Sequence, residues 1–354
     1  RSLVGSEMCI RDRLRLGITE EQVCHVAEPL YDWRATEGSL AYKTNSKSWT
    51  FKAAMAALKN HLEARGLENV SIKANPKAAG CICHWDSPLE PIDIIVPTHS
   101  NLNGLKTCIS GLLQQTDYPQ FNIIIVANLC IEPIREYLET LKSQPQIKIQ
   151  VNDEEFNWST LNNQGVVAGK HPLLLFLNDD VEITHAAWLR NLSRYIYLEG
   201  VGAVGGTLFY PNRQLQHNGI ETHPEWIARN IDEWGEKKPL RVTRNVSAVT
   251  GACLLTRRSH WEQIGGFDEQ LTVYYNDVDY CLGLRSQGLR IVQATDVELI
   301  HHEKATYGSH DSPEKQALSQ KEINVMQEKW GEFLTERYMP RYDVKAHQTR
   351  ILHV

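Results

Sequence analysis

Two adjacent carboxylates, Asp179 and Asp180, follow the apolar run Leu173–Leu177. Like charges about 4 Å apart repel by roughly 4 kcal/mol at an effective dielectric of about 20, and burial adds a desolvation cost. A divalent cation removes both costs, because Mg²⁺ and Mn²⁺ prefer hard oxygen ligands and can bridge to a diphosphate. The alternative interpretation is a helix cap, in which one aspartate accepts N–H groups of a helix beginning near Thr184. The residues alone favour the two interpretations equally.

A second acidic cluster, Asp277 and Asp279, stands where a helical pattern begins after Tyr274. A carboxylate at a helix N-terminus often does no more than interact with the helix dipole. A general base for a hydroxyl group, however, must be a carboxylate or a histidine within reach of the proton. Asp277 is therefore a candidate base with a structural alternative.

A histidine pair, His301 and His302, follows a predicted strand at Leu289–Gln293 and its extension to Ile300. Such a pair can bind a metal or contact a phosphate. Taken alone, it is more often a polar surface pair, so the pattern leaves both interpretations open.

The elements that must position these residues form an alternating series of strands and helices. The predicted strands are continuously apolar, which is typical of a parallel sheet covered on both faces, and ligands bind beyond the carboxyl ends of such strands. The site is therefore expected after Val96, Val126 and Leu177. The strands are predicted at 92–96, 121–126, 147–151 and 172–177, and the helices at 102–115, 132–143 and 161–168.

Composition limits the class of protein. The 354 residues are 42% hydrophobic and 23% charged, which indicates a globular protein with more than one folded unit. A net charge of −6 without a basic run argues against a nucleic-acid partner. No apolar run approaches the ~18–20 residues that span a bilayer. The eight cysteines show no disulfide framework, so we expect a cytoplasmic protein, with peripheral contact at the inner face of the membrane allowed.

The chain divides into four predicted segments. Residues 1–13 resemble a translated cloning artefact, and we expect the true N-terminal part to be truncated. Residues 14–90 are predicted to be an α/β extension or the remnant of a preceding domain. Residues 91–307 form the main α/β domain, and residues 308–354 form a helical tail.

Taken together, the motifs resemble the inverting glycosyltransferases of family two, which have the GT-A fold, and most closely the bacterial rhamnosyltransferase-like branch. Their order and spacing carry the resemblance across about Ile92 to Tyr307. The motifs are IIVPTHSN (94–101), FNWSTLNNQG (156–165), LLFLNDDVE (174–182), GVGAVGGTLFYPNRQLQHNGI (200–220), RNVSAVTGACLLTRR (244–258), IGGFDE (264–269), YNDVDYCLGLRSQG (275–288) and LIHHE (299–303), with MQEKWGEFL (326–334) as a similar tail.

The resemblance implies a role for individual positions. Asp277 matches the base that deprotonates the acceptor hydroxyl. Asp180, in the place of the D-x-D-like motif, is the favoured metal ligand, and His301 or His302 matches a histidine that contacts the metal or the diphosphate. The implied contacts to the nucleotide-sugar are Pro97, Thr98, His99, Asn128, Asn163, Asp179, Thr250 and Gly251.

The chain departs from the family at two positions. Its second strand ends in Val126-Ala127-Asn128, where the family has an Asp-Asn or Asp-Asp pair that contacts the nucleobase. Loss of one hydrogen bond to a charged group costs roughly 1.5–3 kcal/mol, so the choice of nucleotide is left open, although Asn128 could substitute. Asn276 replaces the glutamate that many relatives have before the base, a change that the rhamnosyltransferase-like branch tolerates.

The predicted function is the transfer of a hexose or deoxyhexose, with inversion, from a nucleotide-diphospho-sugar to a glycan or lipid-linked acceptor in cell-surface polysaccharide synthesis. Mn²⁺ or Mg²⁺ is the expected cofactor. One alternative is a catalytically degenerate GT-A domain that serves as a binding or scaffold module, which Ala127 would fit. The other is a nucleotidyltransferase, although the Gly-rich basic loop expected of that class is missing after Val96.

Overall fold

The computed structural model of the protein describes residues 48–74, 81–231, 242–302 and 312–334. The expected artefact at residues 1–13 lies outside these ranges, as do residues 14–47 and 75–80 of the predicted extension and residues 308–311 and 335–354 of the predicted tail. The chain divides into two compact units. The first holds residues 1–86, 240–242 and 337–354, and the second holds residues 87–239 and 243–336.

In the first unit, the described residues form helix α1 (Ser48–Ala64) and a hairpin of two antiparallel strands, β1 (Ser71–Ala74) and β2 (Cys81–His84). Gly66 has a φ of +81°, the left-handed conformation in which helices commonly end at glycine. This arrangement agrees with the helical periodicity that precedes Gly66 in the sequence.

The second unit is an α/β domain. Its strands are β3 (Ile92–Thr98), β4 (Phe121–Asn128), β5 (Ile147–Asn152), β6 (Leu173–Leu177), β7 (Val181–Glu182), β8 (Val201–Phe209), β9 (Leu215–His217), β10 (Ile220–His223), β11 (Ile227–Asn230), β12 (Arg244–Val246), β13 (Cys253–Arg257) and β14 (Arg290–His301). Its α-helices are α2 (Leu102–Gln115), α3 (Glu132–Leu141), α4 (Trp158–Ala168), α5 (Trp188–Ser193), α6 (Arg258–Ile264), α7 (Asn276–Ser286) and α8 (Pro313–Trp330). Two 3-10 turns complete it, at Arg194–Tyr197 and Gly331–Leu334.

The central sheet has ten strands in the order β12-β14-β8-β13-β6-β3-β4-β5, with β7 paired to β14 and β9 paired to β8. Six of the ten, β3 to β6 with β8 and β14, run in one direction, and β7, β9, β12 and β13 run in the other. The predicted fold class, an α/β domain with a mostly parallel sheet, is therefore confirmed.

The site-forming end of the sheet follows from this order. From β3 the chain adds β4 and β5 on one side, and it then returns to pair β6 with the other side of β3. The residues of β6 and the apolar residues from Ile92 to Val96 are buried, as the continuous apolar runs predict. In sheets of this kind, ligands bind where the strand order reverses, which here is beyond the carboxyl ends of β3 and β6. The segments after these two strands, at Thr98–His99 and Asn178–Asp180, are therefore neighbours.

The helix-cap interpretation of Asp179 and Asp180 is wrong. The residues after Asp180 form β7, in which Val181 pairs with His301 and Glu182 pairs with Ile300. The next helix, α5, begins only at Trp188, and no side chain caps it. Pairing with β14 draws this segment into the sheet, so the aspartates have no helix N-terminus beside them.

Candidate active site

The first acidic residue of the site, Asp179, is held by β3. Thr98 Oγ1, at the end of β3, donates to Asp179 Oδ2 at 2.6 Å, and Asp179 is only 7% exposed. Burial, opposed by the hydrogen bond from Thr98 and assisted by the negative charge of Asp180, raises the pKa of Asp179 to about 7. Burial and a neighbouring negative charge both disfavour the ionised carboxylate. A bound cation offsets both effects, so it can replace the proton of such a group.

The second acidic residue, Asp180, faces His301 at the end of β14. Asp180 Oδ1 lies 3.0 Å from His301 Nε2, but this oxygen is buried without a hydrogen bond, because the approach does not have hydrogen-bond geometry. On the other side of the ring, His301 Nδ1 lies 2.9 Å from Gln216 Oε1. An amide oxygen can only accept, so Nδ1 donates to Gln216, and Nε2 is the ring nitrogen that faces Asp180.

The pair of Asp180 and His301 fits a divalent cation. The His301 ring nitrogen Nε2 and the Asp180 oxygen Oδ1 face each other at 3.0 Å. Neighbouring ligands of an octahedral ion with bonds of about 2.1 Å are also roughly 3 Å apart. Among the residues that the structure describes, no cluster of three or more His, Cys, Asp or Glu side chains could hold a metal on its own. A bound ion would therefore need ligands from a substrate diphosphate or from water, as is usual for Mg²⁺.

The candidate base, Asp277, lies in the first turn of α7. Its Oδ2 accepts from Gly251 N at 2.7 Å, and its Oδ1 accepts from Val278 N at 2.8 Å. Burial raises the pKa of Asp277, against the opposing effect of these two hydrogen bonds and of the Thr250 hydroxyl. The carboxylate is thus fixed in position and more basic than an ordinary aspartate, as a general base requires.

Asp180 and Asp277 lie at the same edge of the sheet. Leu177, at the end of β6, pairs with Cys253 at the start of antiparallel β13. The segment after β6 and the segment before β13 therefore lie side by side, and Asn178 N donates to Ala252 O at 3.2 Å. Since Gly251 N donates to Asp277, one backbone hydrogen bond joins the segment of Asp179 and Asp180 to the segment that holds the candidate base.

The peptide at Thr250-Gly251 has a closely packed floor. A Cβ atom at Gly251 would lie 2.6 Å from the indole ring of Trp158, so no larger residue fits without a shift of that ring. Trp158 in turn contacts Phe267 edge to face at 4.9 Å, and Phe267 contacts Phe176 at 4.7 Å. Glycine at position 251 is therefore needed to bring the backbone N–H close to Asp277.

The predicted nucleotide contacts gather at the ends of β3 and β4. His99 Nδ1 lies 2.7 Å from Asn128 O, which joins the two strand ends. Asn128 is fully buried, and its amide nitrogen donates to Asn152 and Glu154, while its Oδ1 has no hydrogen-bond partner. Pro97 is half-buried within β3. One buried acceptor is thus left at the end of β4, beside the altered Ala127.

Two other residues predicted for the site, Asn163 and His302, have side chains that contact other parts of the structure. Asn163 donates to Phe267 O and accepts from Phe267 N, both at 3.0 Å, so its side chain holds the loop after α6. His302 Nε2 pairs with Glu182 Oε2 at 2.9 Å on a part-exposed surface. Successive residues of a strand face opposite sides, so the geometry brings His301, and not the ring of His302, to Asp180.

Glu322 on α8 is an important residue that the sequence did not single out. Its carboxylate is fully buried and accepts hydrogen bonds from Thr272 N and Oγ1, Val273 N and Tyr274 N at 2.7 to 3.3 Å. These residues form the loop that leads into α7 and Asp277. A glutamate in a polar helix carries no local signal of such a role, because all its partners are distant in sequence.

Gln216 and His217 on β9 also escaped notice as individual residues. Gln216 binds His301, as described above, and His217 Nε2 accepts from Gly219 N at 3.3 Å and Thr250 N at 3.4 Å. His217 Nδ1 lies 2.7 Å from Asn230 Oδ1 and therefore donates to it. Gln216 supports the corner formed by His301 and Asp180, and His217 supports the Thr250 segment. The segment from Asn212 to Asn218 is polar apart from Leu215, so no local signal distinguishes these two residues from their neighbours.

The buried His217 predicts a loss of stability in acid. Burial lowers the pKa of His217 to about 4 from 6.5, against the opposing hydrogen bond to Asn230. Between these values the unfolded chain binds a proton that the folded chain lacks, so the free energy of unfolding falls as the pH falls, by up to about 1.4 kcal/mol per pH unit. The free energy of unfolding, measured by urea unfolding at several pH values in this window, should change less steeply with pH for His217→Gln, because glutamine does not bind a proton. Equal slopes for the two proteins would contradict the assignment.

Comparison with known proteins identifies the family of the chain. The model of the family described as glycosyltransferase like family 2 matches residues 90–322. The O-antigen biosynthesis protein RfbC of Myxococcus xanthus is 32% identical over 311 residues, which cover 85% of this chain and 24% of that protein. The N-acetylglucosaminyl-diphospho-decaprenol L-rhamnosyltransferase of Mycobacterium tuberculosis (strain CDC 1551 / Oshkosh) is 40% identical over 65 residues, which cover 18% of this chain and 21% of that enzyme.

The chain spans less than two-fifths of the length of the curated relatives that it matches. Among solved structures, the crystal structure of GalNAc-T7 with UDP, GalNAc and Mn²⁺ superimposes with a TM-score of 0.58 at 13% identity, covering 80% of this chain and 57% of that one. This likeness supports the GT-A fold. Because the family model covers residues 90–322, well over half of the 354 residues, the chain belongs to glycosyltransferase family 2 and carries a glycosyltransferase domain of the GT-A fold.

Proposed function

We propose that this domain transfers a sugar, with inversion and with the help of Mn²⁺ or Mg²⁺, from a nucleotide-diphospho-sugar to a glycan or lipid-linked acceptor. The observation that carries the proposal is the acceptor pair of Asp180 Oδ1 and His301 Nε2, 3.0 Å apart, at the same sheet edge as the fixed carboxylate of Asp277. One side of the crevice suits a cation with its diphosphate, and the other suits an incoming hydroxyl group.

Asp180 and His301 would hold the cation, with Asp179 beside them. When bound, the cation neutralises the charge that develops on the departing diphosphate. Thr98 fixes the Asp179 carboxylate by its hydrogen bond of 2.6 Å, and the Asn178 side chain lies 3.3 Å from His301 Nε2. These contacts set the positions of the ligands before the donor arrives.

Asp277 would act as the base. It takes the proton of the acceptor hydroxyl while the hydroxyl oxygen forms a bond to the anomeric carbon of the donor. The bond between that carbon and the diphosphate oxygen breaks on the opposite face, so a single displacement inverts the anomeric configuration. The hydrogen bonds from Gly251 and Val278 hold the carboxylate in place for this step.

The nucleotide would lie against the ends of β3 and β4, near Pro97, Thr98, His99 and Asn128. The buried Oδ1 of Asn128 has no hydrogen-bond partner and can accept a hydrogen bond from the nucleotide. This supports Asn128 as a substitute for the acidic residue that the family has in place of Ala127. The sugar of the donor would lie beside the Thr250-Gly251 peptide. The proposal leaves the identity of base and sugar to experiment.

The biological setting is proposed from the relatives. One is named for O-antigen biosynthesis and one for rhamnosyl transfer to a lipid diphosphate, which supports a role in cell-surface polysaccharide synthesis. No helix in the described parts of the chain is long and apolar enough to cross a membrane. We also propose a cytoplasmic location, with peripheral contact at the membrane when the acceptor is lipid-linked.

Binding of nucleoside diphosphates tests the proposal directly. A thermal-shift screen of UDP, GDP, dTDP and ADP, each with Mn²⁺, with Mg²⁺ and with EDTA, should show stabilisation by at least one nucleotide only when a metal is present. A ligand at about 100 times its dissociation constant adds roughly 2.7 kcal/mol to the free energy of unfolding. The matching monophosphates serve as controls, because they lack the diphosphate that bridges to the cation. Stabilisation that is the same in EDTA would contradict the metal site and favour a binding module.

A further inference from the structure

The short strand β9 places one amide side chain beneath the metal-binding corner. β9 has three residues, Leu215–His217, and pairs with β8, where His217 lies opposite Leu208. Gln216, in its middle, is buried, and so is His301 at the end of β14. Burial of a polar side chain is costly unless it is hydrogen-bonded. The Oε1 atom of Gln216 makes a hydrogen bond with His301.

The direction of this hydrogen bond is fixed by chemistry. Gln216 Oε1 lies 2.9 Å from His301 Nδ1, and an amide oxygen cannot donate. His301 must therefore carry its proton on Nδ1. The nitrogen on the far side of the ring, Nε2, is then the one that can bind a cation.

The far side of the ring agrees with this tautomer. His301 Nε2 lies 3.3 Å from Asn178 Nδ2, an amide nitrogen that can only donate, and 3.0 Å from Asp180 Oδ1. A cation beside Asp180 would take the place of any proton between Nε2 and Oδ1, and the Nδ1–H form then presents the Nε2 lone pair to it. A ring rotated or protonated the other way would present no ligand atom to a cation.

We infer that Gln216 is a positioning residue for the metal site, which holds the His301 imidazole in the Nδ1–H tautomer and aims its Nε2 at the cation beside Asp180. This inference rests on the proposed function, because it takes His301 as a metal ligand. Hydrogen-bonded partners of ligating histidines orient the ring and raise its basicity, and their loss typically weakens metal binding 10- to 100-fold.

The test compares Mn²⁺ affinities of the full chain by isothermal titration calorimetry, with Mn²⁺ alone as the probe. Gln216→Leu should bind Mn²⁺ roughly 10- to 100-fold more weakly than the wild type. Gln216→Glu keeps an acceptor in the same place and should bind within a few-fold of the wild type. Gln214→Leu is the matched control, because Gln214 is exposed on the same β8–β9 connection and should leave the affinity unchanged.

A second measurement needs neither metal nor activity. Long-range ¹H–¹⁵N correlation spectra of histidine-labelled protein report the tautomer of each ring, and the His301 signal is identified by its loss in His301→Gln. The wild type should show His301 mainly in the Nδ1–H form. In Gln216→Leu this form should no longer predominate. A wild type with His301 in the Nε2–H form would overturn the inference even if the leucine variant failed to fold.

The outcomes separate this inference from the proposed function. A wild type that binds no Mn²⁺, alone or with nucleoside diphosphates, would contradict the metal site itself. A wild type that binds Mn²⁺, together with a folded Gln216→Leu of equal affinity, would overturn the role of Gln216 alone. The same holds if Gln216→Glu loses as much affinity as Gln216→Leu, since the acceptor at this position would then be irrelevant.

Discussion

Replacement of Asp277 by Asn is expected to lower kcat by about 10²- to 10⁴-fold, the usual contribution of a positioned general base. The amide cannot take the proton of the acceptor hydroxyl, so attack on the anomeric carbon must begin from a neutral alcohol. Donor binding should change little, because the cation and the diphosphate lie against Asp180 and His301. Turnover would be measured with the donor nucleotide identified by the thermal-shift screen, and binding by calorimetry with Mn²⁺.

The folded state of this variant has to be checked. The two carboxylate oxygens of Asp277 accept from Gly251 N and Val278 N, and an asparagine would turn its own NH₂ group towards one of these donors. A thermal melt therefore accompanies the assay. Glu262→Gln is the matched control for loss of an acidic side chain, because Glu262 is exposed on α6. Near-normal turnover by a folded Asp277→Asn would rule out the base.

The pH profile of the wild type provides a second check on the same residue. A base works only when it is deprotonated, so kcat should fall as the pH drops through the pKa of Asp277. Burial raises this pKa above the ordinary value of 3.8, so the acid limb of the profile should lie at a higher pH than an exposed aspartate would give. An acid limb at or below 3.8 would contradict the burial argument.

Local pattern was sufficient to predict most of the fold. Buried parallel strands are continuous apolar runs, and β3, β4, β5 and β6 lie where such runs stand in the sequence. The ends of helices were predicted less accurately where contacts with residues distant in sequence determine them. Helix α4 begins at Trp158 instead of Leu161, because Asn157 caps it and Trp158 N donates to Thr272 O in a loop far along the chain.

The site was predictable only as far as single strand ends. Asp180 and Asp277 each follow a local signal, but His301 and His302 are neighbours of the same type, and the pairing of β14 with β7 decides which ring faces Asp180. Gln216 and Glu322 act through partners remote in sequence, so no local pattern indicates them. Asn163 belongs to a motif with the right spacing, but its amide holds the Phe267 loop.

Loss of the metal-binding carboxylate should have the second large effect. Asp180→Asn is expected to lower kcat/KM by about 10²- to 10³-fold, because the charge stabilisation that a cation supplies is worth several kcal/mol. The Mn²⁺-dependent stabilisation by nucleoside diphosphate should disappear as well. Wild-type protein in EDTA should behave like the variant in Mn²⁺, and retention of the metal response by Asp180→Asn would sink the assignment.

The two histidines allow a matched comparison for the same site. His301→Gln should lose the metal response with Asp180→Asn, because Nε2 of His301 is the atom that faces the Asp180 carboxylate. His302→Gln should keep most of it, because its ring pairs with Glu182 on a part-exposed surface. A larger loss for His302→Gln than for His301→Gln would reverse the choice of ligand.

Stability should move in the opposite direction from activity when Asp180 is replaced. In the metal-free protein the Asp180 charge raises the pKa of Asp179, which means that the two carboxylates repel each other at a buried site. An asparagine at position 180 removes this repulsion, and its amide can donate to His301 Nε2. The metal-free melting temperature of Asp180→Asn should therefore equal or exceed that of the wild type, as expected where a functional site stores unfavourable charge. A clear fall in that temperature would show that the Asp180 carboxylate stabilises the fold, and it would contradict its assignment as a cation ligand.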